Sequence, residues 1–244
     1  TTTPMTTTTP MISITRFIPV LTLAMIALIL VSSGTALANV TYTDHIDIRA
    51  NSIAVQITET YTENDATIIE RDLAKADARS AYIREAENNI LAWSGSYIII
   101  DDDPLQTETV HATVTVTNVS GTFLINSTIN YAVTTPLDAG SHSIWIQGHP
   151  GIVKRTIVIP DGINMDSIVG IKDSKTVEEA GHTTITGVSD TRKFLSGGGN
   201  LTFEYATVVE VCKRPLYAQS WFLPLLVAAE IVLVGMWLVQ RKKQ

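Results

Sequence analysis

Twenty residues from Ser220 to Val239 carry one charge, Glu230, and run into Arg241, Lys242 and Lys243. At 1.5 Å per residue, a helix of that length matches a hydrocarbon core of ~30 Å. In lipid a segment must satisfy its own backbone hydrogen bonds, which leaves a lone apolar run no local option but a helix. Trp221 and Trp237 stand near its two ends, where indoles prefer the membrane interface. By the positive-inside rule the basic cluster keeps the short tail 240–244 in the cytoplasm. The expected topology is a single-pass cell-membrane protein with its C-terminus inside and everything before Ser220 outside.

A second apolar run supports the same polarity. Phe17 to Val31 holds no charge, follows Arg16, and is followed by Ala36-Leu37-Ala38. A basic start, a short apolar core and small residues at −3 and −1 form the secretory signal pattern. The reading is a signal peptide over 1–38, cleaved between Ala38 and Asn39. The alternative is a retained anchor, for which 15 residues is short; with its N-terminus inside, it too leaves the middle outside. Met5 and Met11 are both candidate start sites.

Residues 39–212 then form one extracytoplasmic domain, long enough for a core of its own. It holds 23 acidic against 11 basic residues, a balance of −12 within the chain's formal −7. Phosphate neutralisation needs clustered Lys and Arg, so this charge excludes a nucleic-acid partner and suits solubility outside the cell. The only cysteine, Cys212, cannot form an internal disulfide, so packing must supply the stability. At the membrane edge it is a candidate for an intermolecular disulfide or a lipid, against the plainer reading of a free thiol.

The hydrophobic pattern is mostly period two. It predicts strands over 40–49 and 53–61, a hairpin with Val110, Ala112, Val114 and Val116 opposite Phe123, Ile125, Ile129, Tyr131 and Val133, and further strands over 143–147, 152–159, 167–171, 183–188 and 201–211. Tyr97 to Ile100 reads as a buried strand. One helix is expected over about 65–89, its stripe made by Ile69, Leu73, Ala76, Ser80, Ile83 and Ile90, with Trp93 anchoring its end. The fold class is therefore α+β: a β-sandwich-like extracytoplasmic domain with one long helix, a juxtamembrane segment 213–219 and a single C-terminal transmembrane helix over 220–239.

Four N-x-S/T sequons lie between the apolar segments, at Asn39, Asn118, Asn126 and Asn200. On the second hairpin strand Asn126 has the parity of Leu124 and Thr128, away from the apolar face, so a glycan there points to solvent. Asp101-Asp102-Asp103 are weak candidates for a Ca²⁺ site: hard cations take oxygen ligands, but consecutive residues point different ways and the loop spacing of a calcium site is missing. The five histidines, His45, His111, His142, His149 and His182, are scattered, and no hydrolase, zincin or phosphate-loop motif occurs. No catalytic residue and no cofactor is assigned. Glu230 stands mid-span, where an ionised carboxylate costs ~2.5 kcal/mol or more. It is the candidate contact with a partner transmembrane helix or with a second copy.

Ala36-Leu37-Ala38, the stretch Ile57-Thr58-Glu59-Thr60-Tyr61-Thr62 and the terminal Arg241-Lys242-Lys243 resemble the arrangement of small archaeal membrane-anchored cell-surface proteins. The resemblance covers the architecture and implies no activity. Those proteins often end in a P-G-F processing signal; its absence here implies a permanent anchor. The leading expectation is a non-enzymatic surface module for binding, adhesion or envelope structure, alone or as a subunit of a membrane complex. The alternatives are an exported enzyme with a dispersed active site and an accessory or sensor subunit acting through its membrane helix.

Overall fold

The computed structural model describes residues 40–179, 181–195, 199–219 and 221–241. The expected signal segment, the Ala38–Asn39 junction and the first sequon lie outside these residues, as do Lys242 and Lys243. Among the described residues strands dominate, with α-helices at three places, so the domain is α+β and built on two sheets.

Alternation sets the first strands. β1 (Val40–Arg49) and β2 (Ser52–Tyr61) pair antiparallel along their whole length, from Val40 opposite Tyr61 to Arg49 opposite Ser52. Ile46, Ile48, Ile53 and Val55 lie on one face at 0–1% exposure. Burying a side chain of this kind stabilises the fold by ~1.5–3 kcal/mol.

Two helices follow where one was expected. α1 (Glu63–Asp72) ends at Leu73, and α2 (Ala76–Trp93) starts after Lys75, whose backbone is extended. The break resets the helical phase. Ile69 and Leu73 are buried as expected, but α2 buries Tyr82, Ala86, Ile90 and Trp93, while Ala76 and Ser80 face out. A single straight helix would have carried one stripe; the interruption lets each piece aim its own stripe at the sheet.

After β3 (Ile98–Ile100) comes the hairpin of β4 (Thr107–Val119) and β5 (Thr122–Val133). Its turn residues Ser120 and Gly121 both have positive φ, +52° and +82°, the type I′ pattern that matches strand twist. The β5 face is as expected, with Phe123, Ile125, Ile129, Tyr131 and Val133 all buried. The β4 face differs at one point. A register shift between Thr109 and His111 turns Val110 outward, 66% exposed, because a bulge inserts one residue and reverses the parity beyond it.

The remaining strands are β6 (Ser141–Gln147), β7 (Ile152–Pro160), β8 (Ile163–Val169), β9 (Ile171–Glu179), β10 (His182–Ser189), β11 (Thr191–Leu195) and β12 (Leu201–Lys213). The expected strand over 167–171 is in fact the end of one strand and the start of another, divided at Gly170. β9 and β11 were not expected, since an exposed strand leaves no apolar alternation: β9 is exposed along nearly all its length.

The larger sheet has the order β4-β5-β2-β1-β7-β10-β9, antiparallel except for the β1–β7 pair. The smaller has the order β11-β12-β6-β3, with β8 also on β12. α1 packs on β5 and α2 on β4. On the other side of the larger sheet, Thr115, Asn126, Thr58 and Thr43 form a polar cross-strand row. α3 (Phe222–Arg241) follows a short 3-10 turn at Leu216–Ala218. Among the described residues no helix is long and apolar enough to cross a membrane; the side chain of Val239, inside α3, is not among them.

Gly170 is where β8 turns into β9. Its φ is +77°, and a Cβ there would lie 1.8 Å from the carbonyl oxygen of Ala206. Gly170→Ala therefore meets both backbone strain and a main-chain clash, and should destabilise the domain by more than ~2 kcal/mol in urea unfolding. A variant with the wild-type midpoint would show that the two chains do not approach this closely.

Candidate functional site

Charged residues that share parity with the apolar face of a strand must be buried once the sheet is covered. Three do so here: Asp44 between Tyr42 and Ile46 on β1, Glu59 between Ile57 and Tyr61 on β2, and Arg155 two residues before Ile157 on β7. The parallel β1–β7 register sets Asp44 directly beside Arg155.

Arg155 is fully buried and every arm of its guanidinium is used. Nε donates to Asp44 Oδ2 at 2.9 Å and Nη2 to the same oxygen at 2.6 Å. Nη1 donates to Thr207 Oγ1 at 2.7 Å, and Nη2 also to the Gln147 carbonyl at 2.7 Å. Tyr97 donates to Asp44 Oδ2 at 3.2 Å, and Thr207 donates onward to the Gly170 carbonyl at 3.0 Å. The network spans β1, β7, β6, β12 and Tyr97 just before β3, so it joins the two sheets. Burial pulls the Arg155 guanidinium down, but the charge and hydrogen-bond interactions with Asp44 and Tyr97 together outweigh it and hold the group above its ordinary value. Burial, then the Asp44 carboxylate, pushes the Tyr97 phenol well up. A saturated pair of this kind is a structural clasp with no valence left for a substrate.

The second cluster surrounds Glu59, which is 1% exposed. Its Oε2 accepts from Tyr61 at 2.6 Å. Burial raises the Glu59 carboxyl to about 7, against a smaller lowering by the Tyr61 hydroxyl. The nearby phenols answer to the same carboxyl: Tyr42, its cross-strand neighbour, is pushed up to about 12 by burial and then by Glu59. Tyr61 and Tyr82 are raised by burial and then by Glu59. The Tyr82 hydroxyl, delivered by α2, is buried with no hydrogen-bond partner among the described residues. At the flank, the His149 ring meets Tyr42 edge-on at 5.4 Å, and its Nδ1 accepts from Gly151 N at 2.9 Å. Burial lowers His149, favouring the neutral ring. This cluster can take up and release a proton near neutral pH.

The expected site residues are dispersed. Asp101 and Asp102 adopt positive φ, +54° and +57°. Asp101 Oδ2 lies 2.7 Å from His142 Nδ1, and its Oδ1 accepts from Ser143 N at 2.9 Å. Asp103 accepts from Leu105 N at 2.9 Å and so caps the turn Pro104–Gln106. The triplet thus orders a strand end, and among the described residues no group of three His, Cys, Asp or Glu side chains is placed to hold a metal. Asn118 and Asn200 are exposed; Asn126 is half-buried, its Oδ1 accepting from Thr58 Oγ1 at 2.7 Å. Cys212 is free, and its thiol donates to Asp166 Oδ1 at 3.2 Å. That hydrogen bond, then burial, raises the thiol, which disfavours the reactive thiolate. Glu230 is exposed on α3.

No family model matches the chain, and no curated protein is similar to it. Among solved structures the chain is similar to an M1 zinc metallopeptidase from Deinococcus radiodurans, at 11% identity and a TM-score of 0.26, over 70% of this chain and 42% of that one. A two-domain M1 zinc metallopeptidase is similar at 10% identity and a TM-score of 0.24, over 67% of this chain and 46% of that one. The chain thus spans less than half the length of these enzymes.

Glu59 links stability to pH. Its folded value, about 7, lies above the unfolded 4.5, so folding takes up a proton. The stabilisation is complete below about 4.5 and is lost as pH rises through about 7, roughly 3 kcal/mol across that window. Urea unfolding should find the wild type weaker at pH 8 than at pH 5, and Glu59→Gln should remove most of that difference. Equal pH dependence in the two proteins would show that Glu59 is not the titrating group.

Proposed function

We propose that the chain is a membrane-anchored surface module, acting in binding, adhesion or envelope structure rather than catalysis. In this reading a sandwich-like domain stands outside the membrane and α3 holds it there. The observation that carries it is the character of α3. Its apolar side chains are exposed on all sides, with Leu223 and Ile231 at 67% and Leu233 at 64%. A helix apolar all round requires an apolar solvent. Over its whole sequence, Val239 included, the run from Ser220 has the length of a hydrocarbon core and ends at basic residues. Trp221 and Tyr217 stand at its domain end, 47% and 75% exposed, as interfacial aromatics do.

The domain's own features support a binding rather than a chemical role. Its buried titratable groups, Asp44, Glu59, Arg155 and His142, are each at most 7% exposed, so no substrate reaches them without unfolding. The sequons at Asn118, Asn126 and Asn200 suit an exterior location, because none of the three side chains is buried.

Topology is tested by adding protease to intact cells that carry a tag after Gln244. The domain between Asn39 and Cys212 should be digested, the tag should remain, and N-terminal sequencing of the mature protein should begin at Asn39. Protection of the domain overturns the surface reading.

Within the same reading Glu230 contacts a partner helix or a second copy. Interhelical polar contacts contribute ~0.6–2 kcal/mol. Glu230→Gln should keep most association and Glu230→Leu should weaken it, read by crosslinking in one detergent. Assembly of Glu230→Leu at the wild-type level would show that the carboxyl makes no such contact.

A further inference from the structure

An open sheet edge invites another strand, and natural proteins blunt such edges with charge or cover. Most edges here are blunted. On β4, the Val116 carbonyl accepts from Arg79 and Val114 N donates to Glu87 Oε1 at 3.0 Å, so α2 occupies the strand's backbone. On β3, the Ile98 carbonyl accepts from Thr107 Oγ1 and the Ile100 carbonyl from Asp103 N. β9 carries mixed charge along its length, with Lys172, Asp173, Lys175, Glu178 and Glu179.

β11 is different. It is the edge strand of the smaller sheet, and among the described residues its one strand partner is β12. The hairpin faces are sharply unequal. On the inner face Glu204 Oε1 accepts from Trp145 Nε1 at 2.9 Å and from Arg192 Nε at 2.5 Å, which holds the hairpin to β6. On the outer face Leu195 stands opposite Leu201 and Lys193 opposite Phe203, with Tyr205 beyond. These side chains are open: Leu195 71%, Phe203 61% and Leu201 58% exposed. The Lys193 ammonium lies 5.7 Å from the centre of the Phe203 ring. β12 spans 13 residues, so Leu201 at its start is ~40 Å along the strand from the juxtamembrane turn.

We propose that β11 is a strand-addition site for an extended, acid-bearing segment of another protein, apolar on alternate residues. Charge complementarity selects this occupant. Lys193 is the central residue of β11 and sits on the open apolar face, whereas the Arg192 charge is already met by Glu204. A second copy pairing antiparallel about the same centre would set Lys193 against Lys193, and like charges directly opposite destabilise a strand pair. A carboxylate on the incoming strand removes that conflict, main-chain hydrogen bonds supply affinity, and alternate apolar side chains extend the Leu195–Leu201–Phe203 surface. The site lies at the end of the domain farthest along β12 from α3, where a module of this kind meets its partner. It rests on the reading of the chain as a binding module and is independent of how the chain is anchored.

The test uses the full chain in detergent and two capped, labelled nine-residue peptides of alternating Thr and Val, one with a central Glu and one with a central Lys. Fluorescence anisotropy should show the Glu peptide binding ~5- to 10-fold more tightly than the Lys peptide. Lys193→Glu, on an exposed side chain, should keep the melting temperature and reverse the order; Lys193→Ala should abolish the preference. Absence of binding by both peptides, or an unchanged order in Lys193→Glu, overturns the proposal. So does a stronger heterodimer on mixing the wild type with Lys193→Glu while neither peptide binds, which would assign the edge to a second copy. Protease topology is measured separately, so failure at β11 and failure of the surface reading give different results.

Discussion

The ion pair between Asp44 and Arg155 is the constraint on which the domain depends. Two charges in the interior are expensive to desolvate, and the pair is tolerable only because every arm of the guanidinium is met. Meeting those arms requires β1 and β7 side by side in parallel, with Thr207 of β12 and the Gln147 carbonyl at the end of β6 brought against them. A slip of one residue in β1 would turn Asp44 outward and leave Arg155 buried alone, at a cost of several kcal/mol. The clasp thus selects one register for the parallel pair and one docking of the two sheets.

The Glu59 cluster follows from the same geometry. β2 pairs with β1 so that Glu59 faces Tyr42, and α2 lays Tyr82 near both. Where Asp44 has a cation, Glu59 has phenols, which cannot offset burial of a full charge. The carboxyl therefore holds its proton to about 7. Two acids on neighbouring strands, both in the apolar parity, differ in their partners: Asp44 meets an arginine and Glu59 meets a phenol.

The edges of the sheets divide the molecule in the same way. Where the fold has side chains to spare, as in α2 over β4, it covers the edge; along β9 it relies on charge. The β11–β12 hairpin is secured from one face by Trp145 and Arg192 through Glu204, leaving the other face apolar and open. The open face of β11, with its central lysine, is the geometry proposed to take an added strand, in contrast to the diffuse polar row of Thr115, Asn126, Thr58 and Thr43.

Much of this was legible in the residues themselves. Period-two runs located β1, β2, β5, β6, β7 and β10, because a half-buried strand must alternate whatever it packs against. The outward parity of Asn126 followed from the same rule, and the apolar character of α3 is a property of composition alone. Parity also marks Asp44, Glu59 and Arg155 as charges on buried faces, a signal present in the alternation itself. What parity could not supply was partnership: Asp44 and Arg155 are 111 residues apart, and only the parallel β1–β7 pairing makes one the counter-ion of the other. The helix break after Leu73, the bulge that turns out Val110, and the exposed strands β9 and β11 were likewise decided in three dimensions. Each depends on which surface a segment meets, and local hydrophobic periodicity records only that a face is buried, not what buries it.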